Sequence, residues 1–352
     1  MASLKVVVPL LNKRMFPVEN TANKSNVIGS VKLGFQFESV GQISNTLGIW
    51  YQDRDGYYYW GGGVEEVAIV DDFPMIENYN SIFTQIPIKF RKTKGAGIKV
   101  AILDSGIIEH RSLKGAVFNC IDKSESEFGY VDQIGHGTHC AGIIGARSFG
   151  LTGIAPESEL YIAKVMDDNG FFSCKNVLEG LRWAIEDQHV DVINCSFGLD
   201  DNVSTELSLF LEDAEKKNVI IVAAAGENLI LTDKYNGFLN PAMLKNCFAV
   251  GAINLYNSIQ SFRFHPSLDI IMPNNKIVSC GKENDSFISD HGSSMSTAFL
   301  SGIISLIISY YRESENKTVN LSDIKREVNS FSYEFTNTIN FSNSYQLIKC
   351  IQ

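Results

Sequence analysis

The chain has few charged residues, few prolines and a shortage of basic side chains. Of its 352 residues, 20% are charged and 8 are proline. Lys and Arg number 30 against 40 Asp and Glu, which gives a formal net charge of −10 at pH 7. Because an acidic surface repels phosphate groups, we expect neither a nucleic-acid partner nor an anionic membrane surface. The 45% of hydrophobic residues is enough to bury a full core.

Close cysteine pairs are also absent. The chain has an odd number of cysteines and no CxxC spacing; they are Cys120, Cys140, Cys174, Cys195, Cys247, Cys280 and Cys350. Disulfide frameworks use even numbers of cysteines, and structural zinc sites use close pairs. The pattern predicts reduced thiols in a cytosolic protein, with no metal site and no required cofactor.

A signal peptide and a membrane-spanning stretch are not recognisable either. The apolar run Val6–Leu11 is short and contains Pro9, and no small-residue cleavage site follows it. The longest apolar stretch, Phe299–Ile308, is interrupted by small residues and falls short of a spanning length. We therefore expect a cytoplasmic protein with no membrane partner. Its oligomeric state is not predicted.

The chain changes character at about residue 72. Up to that point, short alternating segments separated by turns predict a small all-β domain over residues 1–72; the segments are Lys5–Leu11, Val27–Leu33, Gly48–Gln52 and Tyr57–Gly61. Asp55-Gly56 lies between the last two segments and predicts a hairpin. Residues 73–97 are interpreted as a linker and lead-in segment, and residues 98–352 as the large domain.

In the large domain, apolar runs alternate with helical patterns. The predicted strands are Ile98–Leu103, Glu159–Met166, Asp191–Cys195 and Val219–Ala224. The predicted helices are Gly137–Ala146, Lys175–Gln188, Ser204–Lys217, Ser294–Leu306 and Ser322–Val328. Continuous apolar strands between helices predict an α/β fold with a doubly wound, mostly parallel sheet. The active site of such a sheet lies at the carboxyl ends of its strands.

Three short strings supply a carboxylate, an imidazole and a hydroxyl. They are Ala101-Ile102-Leu103-Asp104-Ser105-Gly106, His136-Gly137-Thr138-His139-Cys140-Ala141-Gly142 and Gly292-Ser293-Ser294-Met295-Ser296. A serine hydroxyl is a poor nucleophile until an imidazole takes its proton and a carboxylate fixes the imidazole tautomer. The order Asp, His, Ser is a known order for this set. Asp104, His136 and Ser294 are thus the candidate catalytic residues.

Together these strings closely resemble those of the subtilisin-like serine proteases (subtilases, peptidase family S8). The resemblance runs from about Ile82 to Ile308. It implies a serine endopeptidase that acts through an acyl-enzyme intermediate on a peptide or protein substrate. It also implies that His136 is the general base and His139 a structural residue. One helical turn after His136, Cys140 is expected beneath the imidazole as a small buried side chain.

The resemblance also implies an oxyanion hole. Ser294 opens a helix, so its backbone N–H is free to face the oxyanion of a tetrahedral intermediate. The side-chain donor of the family is an Asn directly after an Ala-Ala-Gly turn. In this chain Glu227 stands there and Asn228 follows. We assign the donor to Asn228, brought in by a local bulge, and keep Glu227 as the alternative.

Substrate contacts are implied at the ends of two strands. The peptide would bind between two backbone segments by strand addition; their residues are Ser196, Phe197 and Gly198 on one side and Ala225 and Gly226 on the other. The sequence Asp167–Gly170 has the side chains of a calcium turn. We favour an ordinary strand-to-helix turn there and keep a structural calcium ion as the alternative.

Several interpretations stay open. The family's proline after the nucleophile is missing, and Glu227 stands at the donor position, so a catalytically impaired, peptide-binding subtilase fold is one alternative. A dedicated peptidase for one precursor peptide is another. Residues 1–72 resemble a bacterial SH3-like barrel, with an inhibitory propeptide as the alternative. Their aromatic residues are interpreted as barrel core rather than as a groove for peptide or glycan.

Overall fold

The structure is a computed structural model. It describes residues 2–6, 8–19, 26–32, 35–53, 56–67, 83–147, 149–199, 205–226, 240–253, 268–273, 277–283, 285–334 and 348–349. The chain divides into two compact units, Met1–Asp72 and Phe73–Gln352.

The first unit is all-β, in agreement with its alternating pattern. Its described strands are β1 Ala2–Val6, β2 Leu10–Arg14, β3 Val27–Lys32, β4 Gln36–Ser39, β5 Gly41–Asn45, β6 Gly48–Gln52, β7 Tyr58–Trp60 and β8 Val64–Val67. They form two antiparallel sheets with the orders β4-β1-β8 and β3-β2-β7-β6-β5. The likeness to an SH3-like barrel stays a prediction.

One predicted strand of this unit is wrong. The segment Lys5–Leu11 is not continuous, because β1 ends at Val6 and β2 begins at Leu10. Pro9 lies between them; proline has no N–H and a fixed φ, so it interrupts a strand. The predicted hairpin does form, with Trp50 opposite Trp60.

Aromatic side chains fill the core of the first unit. Trp50 and Tyr59 are buried, the latter in a cluster with Leu4, Val6, Leu11 and Phe37. The Tyr59 hydroxyl donates to Asp53 Oδ2 at 2.9 Å, so its polar end is satisfied inside. These two rings are therefore core side chains of the first unit rather than the walls of an open groove.

The second unit is an α/β domain, which confirms the predicted fold class. Its strands are β9 Lys99–Asp104, β10 Val117–Asp122, β11 Glu159–Lys164, β12 Val192–Cys195, β13 Ile220–Ala224, β14 Phe248–Ile253, β15 Ile270–Pro273, β16 Ile277–Cys280, β17 Phe287–Asp290, β18 Tyr333–Glu334 and β19 Ile348–Lys349. The central sheet has the order β10-β11-β9-β12-β13-β14-β15-β19-β18. From β10 to β15 all neighbours are parallel, and β16 and β17 form a separate hairpin.

Helices cover both faces of this sheet. They are α1 Ile88–Arg91, α2 His136–Gly145, α3 Cys174–Arg182, α4 Thr205–Lys216, α5 Ser293–Glu315 and α6 Leu321–Ser330. On β9, Val100 and Ile102 pack with the apolar residues of α2 and α5, whereas Ala101 and Leu103 pack with those of α3 and α4. Alternate residues of one strand thus enter two cores, which explains why the run is continuously apolar.

Helix α5 is longer than its pattern predicts. It continues past Leu306 to Glu315, because Ile307, Ile308 and Tyr311 extend its buried face. By length and composition, α5 is the one helix among the described residues that could cross a membrane. It is almost wholly buried inside the domain, where it packs against α2 and the sheet.

Candidate active site

The predicted carboxylate and imidazole meet at the end of β9. Asp104 is the last residue of β9 and is fully buried, and His136 is the first residue of α2. His136 Nδ1 lies 2.7 Å from Asp104 Oδ1, which also accepts the Ser105 N–H at 2.7 Å. With Nδ1–H donating to the carboxylate, the lone pair of the neutral ring is on Nε2.

Gly137, the residue after His136, permits the start of α2 to lie close to the end of β9. A Cβ atom on Gly137 would lie 2.4 Å from Gly106 O and 3.1 Å from Asp104 Cβ. The backbone after β9 therefore leaves no room for a side chain at the second residue of α2. This explains the need for glycine at this point of the string.

The charge state of His136 is set by opposing effects. Burial lowers the pKa of the ring, but the Asp104 carboxylate, with help from Asp290 and Asp132, raises that pKa to about 9. The side chain keeps 22% of its surface exposed, so solvent protons still reach it. The imidazole becomes a free base only on the alkaline side of neutrality.

Ser294 is the second residue of α5, and its hydroxyl donates to the Ser196 carbonyl at 2.8 Å. The contact is reciprocal, since Ser196 Oγ donates to the Ser294 carbonyl at 2.7 Å. Asn194 Nδ2 in turn donates to Ser196 Oγ at 2.9 Å. Delivery of the Ser294 proton to His136 therefore requires the hydroxyl to give up its hydrogen bond to the Ser196 carbonyl. The Ser294 N–H is one of those that an α-helix leaves without an intrahelical partner.

The sheet order brings the predicted substrate segments side by side. Ser196–Gly198 follow β12 and Ala225-Gly226 follow β13, and these strands are parallel neighbours with Cys195 beside Ala223. Phe197 is buried and stacks on Phe172, with ring centroids 4.4 Å apart. Glu227 and Asn228 lie outside the described residues.

Cys140 and His139 are buried beside the pair. The Cys140 sulfur lies within 4.8 Å of the ligating atoms of both Asp104 and His136, as the four-residue spacing predicts. Burial raises the pKa of the Cys140 thiol well above its ordinary value, so the thiol stays neutral. Burial also lowers the pKa of His139 to about 4, and its Nε2 lies 3.3 Å from the Ile288 carbonyl.

The acidic turn after β11 is held by its own hydrogen bonds. Asp167 Oδ1 accepts the N–H groups of Asn169 and Phe171, each at 2.9 Å. Asp168 Oδ2 accepts the Ser126 hydroxyl at 2.7 Å, and its Oδ1 forms an ion pair with Lys164 at 2.9 Å. A cation at Asp168 would have to displace this ammonium group.

Three residues that support the site were not predicted from the sequence: Ser105, Asp132 and Lys164. Buried Asp132 accepts hydrogen bonds from the Ser105 hydroxyl at 2.8 Å, from the N–H groups of Ile134, Gly135 and Thr138 at 3.0, 2.7 and 2.9 Å, and from the Thr138 hydroxyl at 2.7 Å. Capping chemistry offered a signal, because an Asp just before a helix start commonly accepts its free N–H groups. Lys164 offered another, as a lysine among the apolar residues of the predicted strand Glu159–Met166.

Comparison with known proteins finds a family model that matches most of the second unit. The model of the subtilase family (peptidase S8) matches residues 95–329, which is more than half of the chain and includes the three candidate catalytic residues.

Individual relatives were also found. The chain is 35% identical over 231 residues to the thermostable alkaline protease of Halalkalibacterium halodurans, a match that covers 64% of this chain and 60% of that protein. It is 32% identical over 240 residues to the major intracellular serine protease of Bacillus subtilis, covering 66% and 74%. It is 34% identical over 223 residues to subtilisin Savinase of Lederbergia lenta, covering 62% and 78%. The chain thus spans three fifths of the first relative and about three quarters of the others.

Proposed function

The chain belongs to the subtilase family of serine endopeptidases, and we propose that it hydrolyses peptide bonds with Asp104, His136 and Ser294 as its catalytic triad. The observation that carries this assignment is the 2.7 Å contact between His136 Nδ1 and Asp104 Oδ1. It fixes the ring so that Nε2 is the atom left to accept a proton.

The chemistry follows from these positions. Ser294 Oγ attacks the carbonyl carbon of the scissile bond while His136 Nε2 takes the hydroxyl proton. The ring then donates that proton to the leaving amine, and the C–N bond breaks to give an ester on Ser294. Water, deprotonated by His136, hydrolyses the ester and restores the hydroxyl. Asp104 stays ionised throughout and stabilises the charged ring.

The negative charge on the tetrahedral intermediate needs donors. The free N–H of Ser294 at the start of α5 is one, supported by the positive end of the helix dipole. We assign the side-chain donor to Asn228, with Glu227 as the alternative, from their order after Ala225-Gly226.

The substrate is an extended peptide or protein segment held between the ends of β12 and β13. The Ser196 carbonyl, which accepts the Ser294 hydroxyl in this structure, is positioned to accept a substrate N–H instead. Cytoplasmic activity is supported by thiols without a disulfide in the described part of the chain, those of Cys120, Cys140, Cys195, Cys247 and Cys280. It is also supported by likeness to two relatives named intracellular serine proteases, whereas other relatives are named alkaline proteases.

The test is the change Ser294→Ala. We expect kcat to fall by on the order of 10⁶-fold, because the members of a triad act as a unit. Labelling by an active-serine fluorophosphonate probe should disappear with little change in Tm.

Ser305→Ala is the matched control, since Ser305 is a buried serine of the same helix whose hydroxyl donates to the Ser301 carbonyl at 2.8 Å. It should keep both labelling and hydrolysis. A wild-type chain that binds peptides but neither labels nor cleaves would support the impaired, peptide-binding alternative.

A further inference from the structure

Lys164 is a fully buried lysine that the catalytic steps do not use. It is the last residue of β11 and lies beside Asp104 in the parallel register of β11 and β9. Burying an ammonium group costs several kcal/mol unless its N–H groups are paired, so such a residue needs compensating contacts. Lys164 Nζ has three partners, as many as its N–H groups can serve.

Two of these partners belong to the backbone segments next to Asp104 and before the His136 helix. Lys164 Nζ donates to the Ser105 carbonyl at 2.8 Å and to the Val131 carbonyl at 3.3 Å. Ser105 follows Asp104 directly. Val131 precedes Asp132, whose carboxylate binds the free N–H groups at the start of α2.

The same two segments are also bonded to each other. The Ser105 hydroxyl donates to Asp132 Oδ1 at 2.8 Å and accepts the Gly137 N–H at 2.9 Å. The ammonium group therefore lies at the junction where the Asp104 strand end meets the start of the His136 helix.

The third partner is a carboxylate of the acidic turn that follows β11. Lys164 Nζ forms an ion pair at 2.9 Å with Asp168, whose side chain is 28% exposed. Just after this turn, Phe172 stacks on Phe197, which is one of the proposed substrate-binding residues. One buried charge thus contacts the carboxylate segment, the imidazole segment and the acidic turn.

We propose that Lys164 is a positioning residue for the triad: its ammonium group fixes the separation of the Ser105 and Val131 carbonyls and so holds Asp104 against His136. The inference rests on the proposed function, because the geometry it maintains is that of the catalytic pair. A displacement of about 1 Å within such a pair costs on the order of 10²-fold in rate. Removal of the ammonium should therefore slow catalysis at Ser294 more than it weakens peptide binding.

The experiment compares Lys164→Met with Lys175→Met, an exposed lysine paired with Glu125 at 3.3 Å. For each variant, kcat and KM are measured on a peptide substrate, together with the rate constant for fluorophosphonate inactivation. In Lys164→Met, we expect kcat and the inactivation rate to fall together by about 10²-fold, with KM changed less than about threefold. Lys175→Met should match wild type.

Several results would overturn the inference. A Lys164→Met protein with wild-type kcat and only a lower Tm would show a purely structural role, and a loss confined to KM would place its effect on binding. If the Lys164→Met protein does not fold, the same constants are measured for Lys164→Gln, because the glutamine side chain keeps two N–H donors. Its kcat should fall at least tenfold at unchanged KM, and wild-type kcat would refute the proposal. A wild-type chain that neither cleaves nor labels would refute the proposed function instead.

Discussion

At the scale of single residues, the Asp104 carboxylate decides what His136 can do. It orients Nδ1 through a 2.7 Å contact and outweighs the desolvation of the ring, so that the pKa of His136 is raised to about 9. A base with this pKa is strong but is mostly protonated at neutral pH. The Asp104 carboxylate thus orients the His136 ring and makes it more basic, but it also lowers the fraction of His136 that is unprotonated at pH 7.

We therefore expect an alkaline pH profile. Below the pKa of His136, kcat/KM should rise about tenfold per pH unit, and it should level off near pH 9. The measurement is kcat/KM from pH 6 to 10, with the rate of fluorophosphonate inactivation as a second readout of the same base. A profile already flat from pH 6 would contradict the assignment of this ring as the general base.

The contribution of His136 to the free energy of unfolding should fall over the pH range in which kcat/KM rises. A folded-state pKa raised from 6.5 to about 9 means that His136 stabilises the fold below pH 6.5, and that this contribution is lost as the pH rises to about 9. For His139, whose pKa is lowered from 6.5 to about 4, stability is lost as the pH falls through that interval. Denaturant unfolding from about pH 4 to about pH 9 measures both effects.

The residues after Gly226 carry the third prediction at this scale. If Asn228 donates to the oxyanion, Asn228→Ala should lower kcat by about 10²–10³-fold with little effect on KM, a loss measured for the side-chain donor of subtilisin itself. Glu227→Gln is the matched control and should be nearly silent. A silent Asn228→Ala together with a Glu227→Gln that flattens the pH profile would reverse the assignment.

At the scale of elements, the start of helix α2 depends on a side chain outside the helix. Asp132 accepts hydrogen bonds from two N–H groups at this end, those of Gly135 and Thr138, and from the Ser105 hydroxyl that follows the Asp104 strand. Burial raises the pKa of Asp132, but these hydrogen bonds more than offset it and keep that pKa lowered. An ionised carboxylate at the positive end of the helix is thus the link between α2 and β9.

Asp132→Asn should therefore destabilise the protein by about 2–4 kcal/mol, because an amide turns N–H groups toward donors that need an acceptor. The free energy of unfolding in urea is the measurement. Asp122→Asn is the matched control: Asp122 also accepts N–H and hydroxyl hydrogen bonds from Ser124 and Ser126, but at the half-buried end of strand β10. Equal losses of unfolding free energy in the two variants would show that the position of Asp132 at the helix start adds nothing to stability.

At the scale of the whole molecule, the chain consists of two compact units, Met1–Asp72 and Phe73–Gln352, and the subtilase match begins only at residue 95. The first unit has its own core around Trp50 and Tyr59 and its own strand pairing. A segment with a separate core does not need the second unit in order to bury its apolar side chains.

We therefore predict that residues 1–72 stay attached in the active enzyme. Intact mass of the fluorophosphonate-labelled protein should correspond to the full 39.0 kDa chain plus the label. The Ser294→Ala protein is the control for self-cleavage, since it cannot remove the segment. A labelled species that begins near residues 75–95, with an intact Ser294→Ala protein, would identify the segment as a propeptide.

The sequence alone determined the features that depend on local pattern and chemical type. Continuous apolar runs between helical patterns predicted the parallel α/β sheet, and the strings around Asp104, His136 and Ser294 predicted the family. These inferences succeed because a strand buried on both faces must be apolar throughout, and because nucleophilic catalysis needs those three groups.

Only the tertiary structure decided which distant groups meet. Lys164 lies beside Asp104 because β11 and β9 are adjacent in the sheet, and no local pattern specifies strand order. The extension of α5 to Glu315 likewise depends on which side chains find partners in the core. Hydrogen bonds and burial join residues far apart in sequence, and their energies exist only once the chain has folded.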